Sequence, residues 1–325
     1  MEVLLEYQHS FEKFLDAYSF SKTPKGLYDP ITYILNLEGK RIRPILTLMA
    51  TEVFGADANR AFDAALAIEV FHNFSLVHDD IMDAAPLRRG MPTVHKKWDV
   101  NTGILSGDAM LIIAYQLFEN YPADQFKSLV SLFSKTAKQV CEGQQYDVDF
   151  EMQHTVLERD YLKMITLKTA VLVGTALQMG GIIAGASLQE QQIIYDFGKN
   201  LGIAFQLQDD YLDLYGDPEK FGKKVGGDVL EKKKTYLYIQ SQLSNNELFK
   251  KELLTIYSNE SVFSDQEKIS RAKQLFATTG AAQKTTEAIA LYTQKALSCL
   301  ENLSISNNHK QLLEGFATYL MNRRK

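Results

Sequence analysis

Two aspartate clusters of the same form, D-D-x-x-D, stand out in this sequence of 325 residues. The first spans residues 79–83 and the second spans residues 209–213. On a helix, side chains four residues apart lie on one face, so the first and last aspartates of each cluster are stacked. Like charges at this spacing repel each other, and the C-terminus of a helix disfavours anions. Both clusters therefore indicate a cationic ligand.

Magnesium is the cation that best fits this pattern. Mg²⁺ prefers oxygen ligands and takes one or two carboxylates together with phosphate oxygens and waters. Two facing clusters would hold several Mg²⁺ ions around one diphosphate, and we expect three when substrate is bound. Apolar neighbours such as Val77 and Leu207 favour semi-buried helices over solvated acidic helix ends. The predicted metal-binding residues are Asp79, Asp80, Asp83, Asp209, Asp210 and Asp213.

Basic residues accompany both clusters, as a diphosphate site requires. A Gly-Lys-Arg-Ile-Arg-Pro loop occupies residues 39–44, and Arg88-Arg89-Gly90 follows the first cluster. Lysines at 223, 224 and 232–234 follow the second. Arginine offers a planar fork to phosphate oxygens and lysine a point charge. Taken singly, each group is typical of a solvated surface patch, and its position beside an acidic cluster is what favours phosphate binding.

Three further polar residues lie at notable helical positions. Two of them are predicted to share a helix face with an aspartate cluster, and the third lies among apolar residues. His72 lies seven residues before Asp79, close to two helical turns, and Gln206 lies three residues before Asp209. Lys168, followed by Thr169, lies in an apolar run, where a lysine is costly to bury unless it is paired. A bound diphosphate is one such partner. In each case the alternative is an ordinary structural residue.

Helical periodicity dominates the elements that must position these residues. Proline is missing from residues 123–217, and apolar residues recur at i, i+3, i+4 and i+7. Loops are predicted at 84–101 and 216–228, each directly after an aspartate cluster. The pattern predicts one all-α domain over residues 1–325. The predicted helices are 2–20, 28–38, 42–55, 58–84, 102–120, 124–152, 158–184, 188–215, 230–243, 246–258, 265–279, 282–303 and 307–322.

Composition excludes several classes of protein. A net charge of −5 argues against nucleic-acid binding. Two cysteines, Cys141 and Cys299, are too few for a disulfide framework or a thiolate metal site, which fits a reducing cytoplasmic setting. The N-terminus lacks the pattern of a signal peptide. We expect no stable membrane insertion, because no uninterrupted apolar run reaches about 18 residues.

Taken together, these motifs resemble the trans-isoprenyl diphosphate (polyprenyl) synthase family, which includes farnesyl and geranylgeranyl diphosphate synthases. The resemblance spans roughly residues 28–240 by motif. It implies an isoprenoid-synthase-type helical bundle around a central cavity. It also implies a homodimer that joins isopentenyl diphosphate to an allylic diphosphate such as the dimethylallyl, geranyl or farnesyl form. The motifs that carry it are Gly39–Pro44, Asp79–Asp83, Arg88–Gly90, Lys168–Thr169, Phe205–Asp213, Gly222–Lys223, Gly226–Asp228 and Lys233.

The resemblance assigns a role to each matching position. Asp79, Asp83 and Asp209 would bind Mg²⁺ directly, and the other three aspartates would support them. Isopentenyl diphosphate would be held by Lys40, Arg43, His72 and Arg89. The allylic diphosphate would be held by Arg88, Lys168, Thr169, Gln206, Lys223 and Lys233. Lys224 is an alternative to Lys223, and the basic tail at 322–325 resembles a segment that closes over the isopentenyl site in some members.

The resemblance also implies a reaction and a product length. The allylic diphosphate ionises, oxygens near Lys168, Thr169 and Gln206 stabilise the carbocation, isopentenyl diphosphate attacks, and a proton is lost. Phe74 and Ser75 lie five and four residues before Asp79, where a bulky residue stops elongation early in this family. A 15- or 20-carbon product is therefore expected.

Two other functions compete with this interpretation. A class I terpene cyclase also uses an all-α fold and a DDxxD motif, but its second metal motif normally reads N-D-x-x-S-x-x-x-E. An inactive partner subunit of a heteromeric synthase usually loses one aspartate motif, and both motifs are intact here.

Overall fold

The computed structural model of the chain describes residues 2–153, 155–216, 225–258 and 261–322. Helices account for nearly all of the regular structure, which confirms the all-α prediction. The α-helices are α1 (Glu2–Ala17), α2 (Lys25–Leu35), α3 (Ile42–Val53), α4 (Phe62–Met82), α5 (Val94–Lys97), α6 (Val100–Gln116), α7 (Ala123–Met152), α8 (Glu158–Ile165), α9 (Val171–Ala184), α10 (Leu188–Tyr215), α11 (Gly227–Leu230), α12 (Tyr236–Gln242), α13 (Glu247–Ile256), α14 (Asp265–Thr278), α15 (Ala281–Glu301) and α16 (Asn307–Met321). Two 3₁₀ helices span Ala58–Ala61 and Leu117–Asn120, and a π-helical turn spans Thr166–Ala170.

The structure departs from the predicted elements at three places. The predicted loop 84–101 contains a small antiparallel hairpin of β1 (Leu87–Arg88) and β2 (Met91–Pro92), followed by α5. The predicted helix 230–243 begins only at Tyr236, as α12, because α11 ends at Leu230 and Lys232 has a left-handed backbone with φ of 60°. The predicted helix 158–184 is continuous but contains the π-turn between α8 and α9.

Contacts within the chain divide it into two compact units. The first unit comprises Met1–Ser134 and Thr175–Gln192, and the second comprises Lys135–Gly174 and Ile193–Lys325. The prediction of a single domain over residues 1–325 is not tested by this division and stays a prediction.

Helix α4 is the centre of the first unit. Its residues from Ala64 to Phe71 are all buried, because α3 and α6 pack against it. Two glycines allow a close approach of α6, since a Cβ at Gly107 would lie 2.2 Å from the ring of His78 and one at Gly103 would lie 2.9 Å from Ile81. The first aspartate cluster, at the end of α4, is thereby fixed on a rigid element.

The second unit has its own hydrophobic core. Side chains of α8, α10, α12, α13, α14 and α15 form this core, and the largest fully buried ones include Tyr161, Tyr238 and Phe276. The second aspartate cluster lies at the C-terminal end of α10, whose residues Leu207 and Leu214 are buried in the same core. Each aspartate cluster is therefore anchored in a core of its own.

The helical run Glu158–Ala184 is long and apolar enough to cross a membrane by length and composition alone. Of its most apolar stretch, 72% is buried inside the protein. That degree of burial is typical of a core helix.

Candidate functional site

The first aspartate cluster occupies the last turn of α4. The Asp79 side chain is 19% exposed, Asp80 is buried, and Asp83 is exposed just beyond the end of the helix. The three carboxylates therefore differ in their access to solvent. Asp79 and Asp83 are the two that can reach a ligand.

Asp80 is held by Arg88 through a bidentate ion pair. Arg88 donates from Nη2 to Asp80 Oδ1 at 2.6 Å and from Nε to both carboxylate oxygens at 2.8–2.9 Å. Burial raises the pKa of Asp80, and Arg88 opposes that rise. The same guanidinium lies 3.7 Å from Asp79 Oδ2. Arg88 lies on the hairpin of β1 and β2, and its ion pair thus joins this hairpin to the acidic cluster at the end of α4.

The hairpin explains the Arg-Arg-Gly sequence. Arg89 and Gly90 form its two-residue turn, and both have positive φ, 53° and 77°, as a type I′ turn requires. The Arg89 guanidinium donates to the Leu37 carbonyl at 3.3 Å and lies over Gly39, where a Cβ would be 2.8 Å from its Nη1. Gly39 is therefore the residue that lets Arg89 reach the basic loop.

His72 lies within this group of arginines. Arg43 Nη1 is 3.2 Å from His72 Nε2. Burial lowers the pKa of His72 well below its usual range, and the charges of Arg43, Arg89, Arg88 and Arg41 add to that effect. A neutral imidazole accepts from Arg43 and keeps Nδ1–H as a donor. The predicted residues Arg43, His72 and Arg89 are thus brought together, and Lys40 is exposed one residue before Arg41.

The basic loop 39–44 contains one arginine with a different task. Arg41 is buried and donates to Glu69 Oε1 at 2.6 Å and to the carbonyls of Leu35 and Leu37 at 2.5 and 2.9 Å. Its backbone is left-handed, with φ of 47°, directly before α3. Arg41 therefore fixes the loop, whereas Arg43 faces His72.

In the second unit, Lys168 has a protein partner that sequence reasoning missed. Its Nζ lies 2.6 Å from Asp147 Oδ2, and both side chains are about a quarter exposed, 26% each. The π-turn that carries Lys168 is enclosed by two glycines. A Cβ at Gly143 would lie 2.2 Å from the Lys168 nitrogen, and one at Gly202 would lie 2.7 Å from Ala170 Cα. The turn is therefore fixed between α7 and α10.

Thr169, Gln206 and Asp210 form a continuous hydrogen-bonded chain. Thr169 Oγ1 donates to Gln206 Oε1 at 3.0 Å, and Gln206 Nε2 donates to Asp210 Oδ1 at 3.0 Å. The buried Tyr161 hydroxyl donates to Asp210 Oδ2. Burial raises the pKa of Asp210 to about 7, although both donors oppose the rise. The middle aspartate of the second cluster thus faces the protein interior.

The last aspartate of that cluster contacts the glycine-rich loop. Asp213 accepts from Asp228 N at Oδ2, at 3.0 Å, and its carbonyl accepts from Gly226 N at 2.7 Å. Burial and then the charges of Asp213 and Asp210 raise the pKa of Asp228 well above its usual range. Lys233 donates its backbone N–H to the Asp228 carbonyl, and its side-chain Nζ lies 3.0 Å from Glu231 Oε2. Lys223, Lys224 and residues 323–325 of the tail lie outside the described residues.

The two residues predicted to limit chain length lie on α4. The Phe74 ring is half-buried and packs edge-on against His78, with centroids 4.8 Å apart, and against Phe71 at 5.5 Å. Ser75 donates to the His72 carbonyl at 2.8 Å, so its hydroxyl is turned back to its own helix. Of the two side chains, only that of Phe74 is large enough to block a growing prenyl chain.

A magnesium ion is compatible with these donors. Within the described part of the chain, no group of three or more His, Cys, Asp or Glu side chains forms a ready-made metal site. Mg²⁺ does not need one, because it commonly takes one or two carboxylates and completes its octahedron with phosphate oxygens and waters. Asp79 with Asp83 supplies such a pair of hard oxygen donors. The donor set thus fits Mg²⁺ bound together with a diphosphate.

Sequence reasoning missed three polar residues of this region. Asp147 lies 21 positions from Lys168, Tyr161 lies 49 positions from Asp210, and Glu69 lies 28 positions from Arg41. The predicted cost of burying Lys168 was the only signal that pointed to any of them. It indicated that a partner exists without saying which.

Comparisons with known proteins agree with one another. The sequence pattern of a family described as polyprenyl synthetase matches residues 24–276. The short chain isoprenyl diphosphate synthase of Methanothermobacter thermautotrophicus is 34% identical over 314 residues, covering 96% of this chain and 95% of that protein. The geranylgeranyl diphosphate synthase of Sulfolobus acidocaldarius is 38% identical over 265 residues, 80% of each. A crystal structure of a geranylgeranyl pyrophosphate synthase has a TM-score of 0.95 and 55% identity, covering 99% of both chains.

Proposed function

This chain belongs to the polyprenyl synthetase family, and from that premise we propose that it makes the 20-carbon geranylgeranyl diphosphate with Mg²⁺ as cofactor. It is a trans-prenyltransferase that joins isopentenyl diphosphate to allylic diphosphates and makes short-chain products. The 20-carbon length is supported by 55% identity to a geranylgeranyl pyrophosphate synthase over 99% of both chains. The comparisons give no support to a terpene cyclase or an inactive partner subunit.

We propose that the metal is held directly by aspartates that are at least partly exposed. Asp79 and Asp83 in the first unit and Asp209 in the second would hold Mg²⁺, three ions being the number expected with substrate. Asp80, Asp210 and Asp213 would support them, which agrees with their hydrogen bonds to Arg88, Tyr161 and Asp228. When bound, Mg²⁺ would neutralise the diphosphate and make it a better leaving group.

The cationic group of the first unit is the proposed binding site for isopentenyl diphosphate. Arg43 and Arg89 present planar N–H donors suited to phosphate oxygens, and Lys40 adds a point charge. His72 would contribute a neutral N–H donor, because its lowered pKa keeps the ring uncharged. The surrounding arginines are what make this arrangement suited to an anion.

The allylic diphosphate is assigned to Arg88, Lys168, Thr169, Gln206, Lys223 and Lys233. Lys168 is paired with Asp147 here, at 2.6 Å. A diphosphate would compete with that carboxylate for the ammonium group. Asp147 would thus hold Lys168 in place until the substrate arrives, which avoids leaving a half-buried charge unpaired.

In the proposed reaction the protein supplies charge stabilisation and no nucleophile. The carbon–oxygen bond of the allylic diphosphate breaks, and the leaving diphosphate takes the electron pair. Oxygens at Thr169 and Gln206 would stabilise the allylic cation, as preorganised dipoles do for developing charge. The double bond of isopentenyl diphosphate then attacks, and the departed diphosphate takes the proton. Exclusion of water protects the cation.

Product length gives the test of this proposal. Phe74→Ala removes the ring that packs against His78, so the growing chain has more room and the product should lengthen from 20 to 25 carbons or more. Product diphosphates would be dephosphorylated and measured by chromatography and mass spectrometry. Phe126→Ala, at an exposed position on α7, is the matched control and should leave the distribution unchanged. An unchanged product in Phe74→Ala would remove Phe74 as the residue that limits length.

Four further statements stay predictions. They are a single domain over residues 1–325, a homodimer, a cytoplasmic location, and a lack of nucleic-acid and stable membrane partners. The net charge of −5 supports the expectation for nucleic acids.

A further inference from the structure

A buried tyrosine ends the hydrogen-bonded chain that leads to Gln206 and Thr169. Tyr161 is 1% exposed, and its hydroxyl donates to Asp210 Oδ2. The other oxygen of that carboxylate, Oδ1, accepts from Gln206 Nε2 at 3.0 Å. Asp210 is itself 7% exposed. Both carboxylate oxygens are therefore occupied by protein donors within the core of the second unit.

This arrangement decides which way the Gln206 amide points. Both oxygens of Asp210 accept hydrogen bonds in this arrangement, so the Gln206 amide turns its NH₂ group toward the carboxyl group. The amide oxygen then faces the other way, where it accepts from Thr169 Oγ1 at 3.0 Å. A rotation of Asp210 would release this constraint. Tyr161 prevents the rotation, because turning the carboxylate would leave a buried hydroxyl and a buried oxygen without partners.

We propose that Tyr161 is a positioning residue for the prenyl transfer reaction: through Asp210 it fixes the Gln206 amide so that the amide oxygen lies beside the Thr169 hydroxyl. This inference rests on the proposed role of Thr169 and Gln206 in stabilising the allylic cation. Tyr161 is enclosed in the core and acts only through Asp210. Because Thr169 and Gln206 are also assigned to the allylic diphosphate, its effect should appear in kcat and in the KM for that substrate. The KM for isopentenyl diphosphate should not change.

The fold provides a matched control for the loss of a tyrosine hydroxyl. Tyr236 is buried in the same core, with its ring centroid 5.9 Å from that of Tyr161. Its hydroxyl also donates to a carboxylate, Glu158 Oε1, at 2.9 Å. The other oxygen of that carboxylate, Oε2, accepts from Gln240 Nε2 at 2.8 Å. Tyr236→Phe thus removes the same chemical group from the same core, but from a residue whose hydroxyl donates to Glu158 and not to Asp210.

The test is a double-mutant cycle on kcat with saturating substrates and Mg²⁺. Tyr161→Phe is expected to lower kcat about tenfold, the order of effect for one buried hydrogen bond, with the KM for isopentenyl diphosphate within about twofold of wild type. In a Gln206→Ala background the same change should alter kcat by less than about twofold, because its target is gone. Tyr236→Phe should leave kcat within about twofold. Thermal unfolding of each variant separates a loss of folded protein from a loss of rate.

The outcomes separate this inference from the proposed function. Equal effects of Tyr161→Phe in both backgrounds, or an unchanged kcat in the wild-type background, would overturn the positioning role while leaving the synthase activity intact. Wild-type protein without prenyl transfer would instead overturn the proposed function. If Tyr161→Phe does not fold, Tyr161→Met takes its place, because methionine is also apolar, suits the same core and lacks the hydroxyl. Its effect on kcat should again be present in the wild-type background and nearly absent in Gln206→Ala. Additive effects would contradict the inference.

Discussion

Asp79→Asn is expected to lower kcat by about 10²–10³-fold, the cost of removing one preorganised group that stabilises charge in the transition state. Asparagine keeps the size of the side chain and one oxygen but removes the negative charge that a hard cation prefers. The Mg²⁺ concentration for half-maximal activity should rise as well. Steady-state rates over a Mg²⁺ titration measure both effects.

Asp108→Asn is the matched control for this prediction. Asp108 is an exposed aspartate of the same unit, on α6, and lies outside the proposed machinery. Its substitution should leave kcat and the Mg²⁺ requirement unchanged. A folded Asp79→Asn variant with wild-type kcat and Mg²⁺ dependence would show that this carboxylate is not a metal ligand.

Arg41→Met is expected to destabilise the protein by about 3–5 kcal/mol, because it leaves Glu69 as an unpaired charge in the core. The Glu69 side chain is 3% exposed, and Arg41 Nη1 is its ion-pair partner at 2.6 Å. Methionine has a similar volume and tolerates the left-handed backbone no worse than arginine does. Urea unfolding followed by circular dichroism gives the change in midpoint.

Replacing both partners distinguishes the buried charge from lost packing. The double variant Arg41→Met, Glu69→Leu removes both charges, and should recover about half of the lost stability. Recovery is incomplete because the carbonyls of Leu35 and Leu37 lose their donor. Arg60→Met, at an exposed position, should change stability by less than about 0.5 kcal/mol. A double variant no more stable than Arg41→Met would contradict the assignment of the loss to the uncompensated Glu69.

The helices could be predicted because their signal is local. Apolar residues at helical spacing and proline-free stretches are properties of neighbouring residues, and α7, α10, α14 and α16 begin and end within one or two positions of their predicted bounds. The hairpin at residues 87–92 was not predicted, since each strand is only two residues long. The π-turn at 166–170 was also missed, because a wider turn leaves the apolar pattern almost unchanged.

The site was predicted by residue type but not by pairing. The basic loop 39–44 looked like one cationic group, yet the structure separates Arg41, buried against Glu69, from Arg43, which faces His72. The pair of Lys168 and Asp147 joins two different helices, so no local spacing reveals it. The close approach of Gly143 to the Lys168 backbone also joins two different helical segments. Such contacts depend on how helices pack, which the sequence of one helix does not state.

Product analysis with a series of primers tests the central claim most directly. The protein would be incubated with isopentenyl diphosphate, Mg²⁺ and, in separate reactions, dimethylallyl, geranyl or farnesyl diphosphate, and the products would be identified by mass spectrometry. We expect a linear 20-carbon diphosphate from every primer, one inorganic diphosphate released per condensation, and no product in EDTA. Cyclic hydrocarbons, or primers recovered without consumption of isopentenyl diphosphate, would contradict the assignment of this chain as a short-chain prenyl diphosphate synthase.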